Sequence, residues 1–320
     1  MTQTAEEHRL ELMVKQMTWE SDGVLSLALV DPEGKALPEW TPGAHVDLNL
    51  RNSLVRQYSL CGDPADPTRY RVAVLREQAA LGGSEFVHEG LRPGHRLLVV
   101  GPRNNFEFLP ARRYVFLAGG IGITPMLAMI CAAEATGADW QLFYGGRRRA
   151  SMAFLDELAR YGDRVHVLPE DETGRLDLHT VLPGHEPGLL VYCCGPEGLL
   201  AAVEEHTADW PAGTLQVERF KAKSRPEPDG GERPLELVCQ RSGTTVAVPA
   251  DCSLLDALEA AGISVPSSCR DGICGTCETK VLEGVPDHRD SLLSAAEQAA
   301  GKSMMVCVSR AQSDRLVLDL

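Results

Sequence analysis

Residues 114–133 read YVFLAGGIGITPMLAMICAA, twenty residues without a charge. By hydropathy alone they could cross a bilayer, which takes about 20 apolar residues in a row. Gly119, Gly120, Gly122 and Pro125 stand in the middle and break that reading. The stretch parses instead as a buried strand (Tyr114–Ala118), a glycine turn and a helix from Pro125. Strand, turn and helix in that order form the repeat of a parallel sheet with crossover helices. The repeat continues outward. Strand-like runs at Trp140–Tyr144, Val165–Leu168 and Gly188–Cys193 alternate with helical stretches at Pro125–Thr136, Ser151–Arg160 and Gly198–Asp209. No membrane span is expected.

On the amino-terminal side, residues 1–108 carry short β-type runs: Gly23–Val30, His45–Leu50, Arg56–Leu60, Tyr70–Leu75 and Arg96–Val100. Turn chemistry such as Asp31-Pro32-Glu33-Gly34 and Arg92-Pro93-Gly94 separates them, which predicts an antiparallel barrel or sandwich. On the other side, the segment from Ala222 to Pro234 has three prolines, two glycines and no apolar periodicity. It reads as a linker over 222–233. Residues 234–320 then form a third unit, with strands at Leu235–Gln240 and Thr244–Val248, a helix at Leu254–Ala261 and a cysteine-rich loop. The chain is therefore multidomain: 1–108, 109–221, the linker, and 234–320.

Composition narrows the classes. The 320 residues are 44% hydrophobic and 24% charged, ordinary globular values. A net charge of −14, from 45 acidic and 31 basic side chains, argues against binding nucleic acid or an anionic membrane. The stretch Met1–Leu10 carries Glu6, Glu7 and Arg9 without an apolar core, so no secretory signal is read there. The ten cysteines are then expected as reduced thiols or metal ligands in a cytoplasm.

Four of them form a pattern. Cys269, Cys274 and Cys277 are spaced C-x4-C-x2-C, and Cys307 follows after 29 intervening residues. This is the spacing of a plant-type [2Fe–2S] site. Gly272 and Gly275 let the backbone wrap tightly, and Ser267, Ser268 and Thr276 leave room for N–H groups to face the sulfurs. The competing reading is a zinc site with four cysteine ligands, but zinc sites usually show paired C-x2-C units and only one is present. Cys61, Cys131, Cys193, Cys194, Cys239 and Cys252 read as small buried hydrophobes.

Two further motifs invite phosphates. Gly119-Gly120-Ile121-Gly122-Ile123-Thr124-Pro125 joins a strand to a helix, where glycines admit a pyrophosphate and free N–H groups favour an anion. Cys194-Gly195-Pro196 closes a later strand of the same sheet, so both turns should face one crevice at the carboxyl ends of the strands. In the first unit, Arg56-Gln57-Tyr58-Ser59 could offer a guanidinium to a phosphate and an aromatic ring to a planar group. Alone, each motif is equally an ordinary turn or strand.

Their joint order is distinctive. The sequence resembles the phthalate dioxygenase reductase family through Arg56–Cys61, Gly82-Gly83-Ser84, Gly119–Met126, Tyr192–Pro196, Ser267–Cys277, Asp287–Asp290, Met305–Ala311 and Leu316–Leu320. The resemblance implies an FMN-binding antiparallel β-barrel, an α/β nucleotide-binding domain and a β-grasp-like [2Fe–2S] ferredoxin domain. It implies that Arg56, Tyr58 and Ser59 hold FMN, with Val74 and Leu75 along the ring and Gly82, Gly83 and Ser84 at the phosphate. Thr124 would lie near the flavin, and Phe220 would stack on the isoalloxazine. Gly120, Gly122, Cys194, Gly195 and Pro196 would line the nucleotide site, and Cys269, Cys274, Cys277 and Cys307 would hold the cluster. Better-known members carry a basic residue just before Gly-Gly-Ser; Leu81 here implies one phosphate contact fewer.

The implied activity is a reductase. NADH gives two electrons at once and a [2Fe–2S] cluster accepts one, so a flavin must stand between them. No catalytic acid–base dyad is expected, and His288 reads as a surface or fold contact. No Rieske, heme-thiolate or 2-His-1-carboxylate pattern occurs, so the electrons must leave for another protein. That partner is a Rieske-type oxygenase or O-demethylase, or alternatively a cytochrome P450; a non-enzymatic metal-binding protein is the third reading. From residue 234 onward twelve Asp/Glu face seven Lys/Arg, which suggests an acidic docking face for a basic acceptor. Arg147, Arg148 and Arg149 could take the 2′-phosphate of NADPH, but the resemblance leans to NADH. A monomer is expected.

Overall fold

The structure is a computed structural model that describes residues 8–51, 54–77, 82–223 and 232–320. It contains two compact units, one ending at Glu218 and the other running from Arg219 to Leu320. Leu81 and residues 224–231 of the expected linker lie outside the described residues.

The first unit begins with strands β1 (Arg9–Ser21), β2 (Val24–Val30), β3 (Ala44–Asn49), β4 (Val55–Ser59) and β5 (Tyr70–Leu75), helix α1 (Gly83–Glu89) and β6 (Arg96–Asn104). They make an antiparallel sheet in the order β4-β3-β6-β1-β2-β5. Its edges meet: Leu60 bridges Val72, and the Cys61 N–H donates to Arg71 O at 2.8 Å. The sheet thus curls into the expected barrel around Leu27, Leu29, Val46, Leu48, Leu60 and Val72. The long first strand was not read from sequence. Register shifts between Val14 and Gln16 and between Trp19 and Ser21 interrupt its polar–apolar alternation.

The same unit continues with β7 (Arg113–Gly119), a 3-10 turn (Gly120–Gly122), α2 (Ile123–Thr136), β8 (Asp139–Gly146), α3 (Leu155–Leu158), β9 (Val165–Pro169), α4 (Glu170–Thr173), α5 (Leu178–Val181), β10 (Leu189–Cys194), α6 (Glu197–His206) and β11 (Leu215–Glu218). The five strands are all parallel, in the order β11-β10-β7-β8-β9. Among the described residues no helix is long and apolar enough to cross a membrane. One expected helix is corrected. Residues 151–160 hold only the single turn α3, between 3-10 turns at Arg149–Ser151 and Ala159–Arg164. Phe154, with φ 63°, and Gly162, with φ 57°, reverse the backbone on either side. The Phe154 side chain is buried in the core, which holds that conformation in place.

The second unit holds β12 (Leu235–Cys239), β13 (Thr244–Val248), α7 (Leu254–Ala260), β14 (Glu278–Glu283), β15 (Pro286–Asp287), α8 (Ala295–Ala300), β16 (Ser303–Met305), β17 (Arg310–Ala311) and β18 (Arg315–Leu318). The main sheet runs β13-β12-β18-β14-β16, with β12 and β18 its parallel pair. Leu254, Leu255 and Leu258 of α7 pack into its core, giving a β-grasp arrangement. Buried Arg310 ties the start of this unit down. It donates to the carbonyls of Cys252, Arg233 (2.8 Å) and Pro249 (3.2 Å) and pairs with Glu232 at 3.1 Å. Arg289 closes on the same Glu232 carboxylate. Arg310→Met leaves that carboxylate and three carbonyls short of a donor, at a cost of about 3–5 kcal/mol. Calorimetry should show the second unit melting earlier while the transition of the first stays in place.

Candidate functional site

The carboxyl ends of the parallel strands bring the two glycine turns together. A Cβ added at Gly122 would lie 2.2 Å from Cys194 O, and one at Gly119 would lie 2.6 Å from Pro196 Cδ. One at Gly195 would meet Gly119 Cα at 2.9 Å. Backbone therefore packs on backbone, and only glycine fits at these contacts. Gly120, with φ 56°, turns the chain into α2. No side chain caps the start of α2, and buried Thr124 spends its hydroxyl on Ile121 O at 3.0 Å. The Ile123 N–H that opens the helix is taken by Gly120 O and Ile121 O of the 3-10 turn, and Pro125 has no N–H to offer.

The barrel contributes β4. Arg56 and Tyr58 share one face of the strand, as alternation requires. Arg56 packs over the start of α1, where a Cβ on Gly83 would come within 3.0 Å of its Cγ. Gly82 is left-handed at φ 82°, and Ser84 Oγ accepts from Glu77 N at 3.1 Å. Guanidinium, glycine turn and serine thus converge on one corner. Val74 is buried and Leu75 half-buried on β5, and His88 Nε2 donates to Val74 O at 3.0 Å. Burial raises the Tyr58 phenol above its ordinary range, against the lowering effect of Arg56.

Ser59 has the opposite parity and meets a residue the sequence reading missed. Its hydroxyl donates to Glu218 Oε2 at 3.4 Å, and the Cys194 thiol lies 4.0 Å from the same oxygen. Glu218 ends β11 in register with Cys194. Burial pushes the carboxyl up to about 8, the Ser59 hydrogen bond opposing. Burial also raises the Cys194 thiol, with Glu218 adding to the effect, so that thiol stays neutral. The available sequence signal was an acid closing the alternating run Leu215-Gln216-Val217; nothing local placed it beside Ser59 and Cys194.

The cysteine loop lies in the second unit. Cys274, Cys277 and Cys307 are buried and Cys269 partly so. The neighbouring thiols of Cys274 and Cys307 hold Cys269 well below the ordinary thiol range, and Cys269 in turn raises both of them. The Asp271 N–H points at Cys269 Sγ from 3.3 Å, and Cys274 Sγ lies 3.3 Å from Thr276 Oγ1. Gly272, with φ 69°, leaves no room for a Cβ, which would sit 2.5 Å from Val308 Cγ2. Arg270 holds a left-handed φ of 56° and is pinned by Asp256 (2.7 Å) and Glu259 (2.5 Å) on α7. Four converging thiols, backbone donors and a braced loop fit a [2Fe–2S] cluster. Among the described residues no group of three or more His, Cys, Asp or Glu is disposed to hold a single metal ion.

The other residues singled out from the sequence fall as follows. Phe220 is grouped with the second unit, just past the boundary, and is 37% exposed. His288 is buried, with Nδ1 3.7 Å from Asp290 Oδ1, and so belongs to the fold rather than the surface. Many acids of the second unit are already engaged: Asp256 and Glu259 with Arg270, Glu236 and Glu283 with Arg315, Asp319 with Arg241, Asp287 with Arg289.

Residues 116–205 match the oxidoreductase NAD-binding domain, and residues 237–312 match the 2Fe-2S iron-sulfur cluster binding domain. A chain with both is an electron-transfer oxidoreductase. The phenoxybenzoate dioxygenase subunit beta of Ectopseudomonas oleovorans is 42% identical over 313 residues, 97% of each chain. Phthalate dioxygenase reductase of Burkholderia cepacia is 37% identical over 326 residues, 100% of each. The chain belongs to the phthalate dioxygenase reductase family, the oxygenase reductases, and shares its cofactor set of FMN, pyridine nucleotide and a [2Fe–2S] cluster. A type IV self-sufficient cytochrome P450 monooxygenase structure superposes with a TM-score of 0.91 at 47% identity. It covers 98% of this chain, which spans 41% of that longer one.

Glu218 makes a pH prediction. Its folded pKa of about 8 exceeds the ordinary 4.5, so the folded state holds a proton that the unfolded chain releases. Stability should therefore fall as pH rises from about 4.5 to about 8, by several kcal/mol in total, and level off above. Denaturation midpoints at pH 5 and pH 8 should show this slope in the wild type and a flatter one in Glu218→Gln.

Proposed function

We propose that the chain takes electrons from NADH and passes them singly to a Rieske-type oxygenase or O-demethylase. The observation that carries this reading is the junction at Ser59, Cys194 and Glu218, where the barrel strand meets the nucleotide turns. In this reading residues 1–108 form the FMN domain, 109–221 the nucleotide domain and 234–320 the cluster domain, joined by the 222–233 linker. Bound FMN supplies the exchange between one two-electron donor and single-electron steps.

The side chains bind and orient. Arg56 offers a guanidinium to the flavin phosphate, and the Gly82-Gly83-Ser84 corner offers backbone room and N–H groups. Tyr58, Val74, Leu75 and Thr124 bound the ring, and Ser59 turns its hydroxyl toward the same seam. Gly120, Gly122, Cys194, Gly195 and Pro196 line the nucleotide site, and Gly120, with open space where a Cβ would stand, leaves room for it. Phe220 supplies an exposed aromatic face for the isoalloxazine. Cys269, Cys274, Cys277 and Cys307 hold the cluster, while Gly272 and Arg270 shape their loop. No residue is assigned as a general acid or base.

NADH is favoured over NADPH because Arg149 is already closed on Glu172, at 3.1 and 2.7 Å. A P450 acceptor is the second reading, favoured by the likeness to the self-sufficient P450. Ion pairing leaves the excess of acids over bases after residue 234 unchanged, and that excess suits a basic acceptor face. All ten cysteines are free thiols, which supports a cytoplasmic setting.

Anaerobic titration with NADH and, separately, NADPH tests the reading. Flavin and iron–sulfur absorbance should bleach together, at lower concentrations of NADH. A purified protein with neither chromophore, or with bands that neither nucleotide bleaches, contradicts it.

A further inference from the structure

Arg71 on β5 and Glu157 on α3 form a two-point ion pair inside the first unit, Nη1 to Oε2 at 2.8 Å and Nη2 to Oε1 at 3.1 Å. Each side chain is only 27% exposed. The same guanidinium donates to Cys61 O from Nε (3.0 Å) and Nη2 (2.6 Å), and its Cζ lies 5.2 Å from the centre of the Phe154 ring. One group therefore touches both halves of the unit.

What it joins matters. Cys61 lies two residues past Ser59, at the end of the strand that carries Arg56 and Tyr58. Phe154 and Glu157 follow β8 and the arginine turn, at the carboxyl edge of the parallel sheet. That segment is itself fixed, because Tyr144 OH accepts from Ala153 N at 3.0 Å and Ala150 O accepts from Asp22 N at 2.8 Å. Apolar surfaces can slide across each other without losing area, whereas a planar fork on a carboxylate fixes direction as well as distance.

We propose that Arg71 and Glu157 are positioning residues that lock the nucleotide sheet against the flavin strand and so set the approach of the nicotinamide to the flavin. The inference rests on the hydride-transfer reading above. Neither side chain is asked to take part in the chemistry; a displacement of about 1 Å at the reacting atoms can lower a rate by about a hundredfold.

The test is stopped-flow reduction of bound flavin by NADH in the full-length holoprotein and in Arg71→Gln, Glu157→Gln, Glu157→Asp and the Arg71→Gln/Glu157→Gln double variant. The limiting rate at saturating NADH should fall about tenfold or more in each Gln variant. Flavin content, the iron–sulfur spectrum and the half-saturating NADH concentration should change little. Glu157→Asp should recover part of the rate, and the double variant should be no slower than the slower single one, as a coupled pair requires. Unchanged limiting rates overturn the proposal. So do losses that add in the double variant, or that track lost flavin with no recovery in Glu157→Asp. If the wild type itself shows no flavin reduction by NADH or NADPH, the underlying reading fails instead, and that result is separately visible.

Discussion

Two sheets of different construction share one core in the first unit, and the chemistry depends on that sharing. Val24, Cys61, Ala73 and Phe106 from the barrel side are buried in the same cluster as Phe116, Met126, Trp140 and Tyr192 from the nucleotide side. Ala128 of α2 is buried in turn among barrel residues. Such a junction cannot hinge freely, because close-packed interiors resist small displacements. Hydride transfer needs reacting atoms about 3–3.5 Å apart. A close-packed junction suits such a requirement.

Polar groups are admitted at this junction sparingly, and each has a visible consequence. Glu218 is half-buried beside Ser59 and Cys194, and loss of solvent outweighs the hydroxyl that bonds to it, so it keeps its proton well into the neutral range. Arg71 is compensated by Glu157 and by a backbone carbonyl. A neutral acid at the seam and a paired charge beside it keep net charge low at this junction. The second unit follows another logic. There the left-handed Arg270 and the crowded Gly272 brace the loop that carries Cys269, Cys274 and Cys277.

Much of this was legible in the residues. The glycines at 119, 122 and 195 were read as room for a pyrophosphate, and in the structure the two turns instead press on each other at these positions, which local sequence does not show. The C-x4-C-x2-C spacing with a distant cysteine predicted four converging thiols. What stayed hidden was long-range or irregular. The bulges of β1 erased the alternation that marks a strand, and the left-handed Phe154 cut a helix that periodicity had run through. Glu218 looks like any strand-ending acid in sequence, and its contacts with Ser59 and Cys194 come from distant elements. The ion pairs of the second unit, such as Arg241 with Asp319 and Arg315 with Glu236 and Glu283, join residues far apart in sequence. Side-chain pairs between elements far apart in sequence leave no local pattern to read.

The central claim is an order of carriers, nucleotide to flavin to cluster, with the cluster as the exit. Anaerobic single-turnover absorbance of Cys274→Ser, mixed with NADH and then with cytochrome c, addresses it directly. The account predicts flavin bleaching at the wild-type rate and no onward reduction of cytochrome c. Cytochrome c reduction at the wild-type rate in that variant would contradict it.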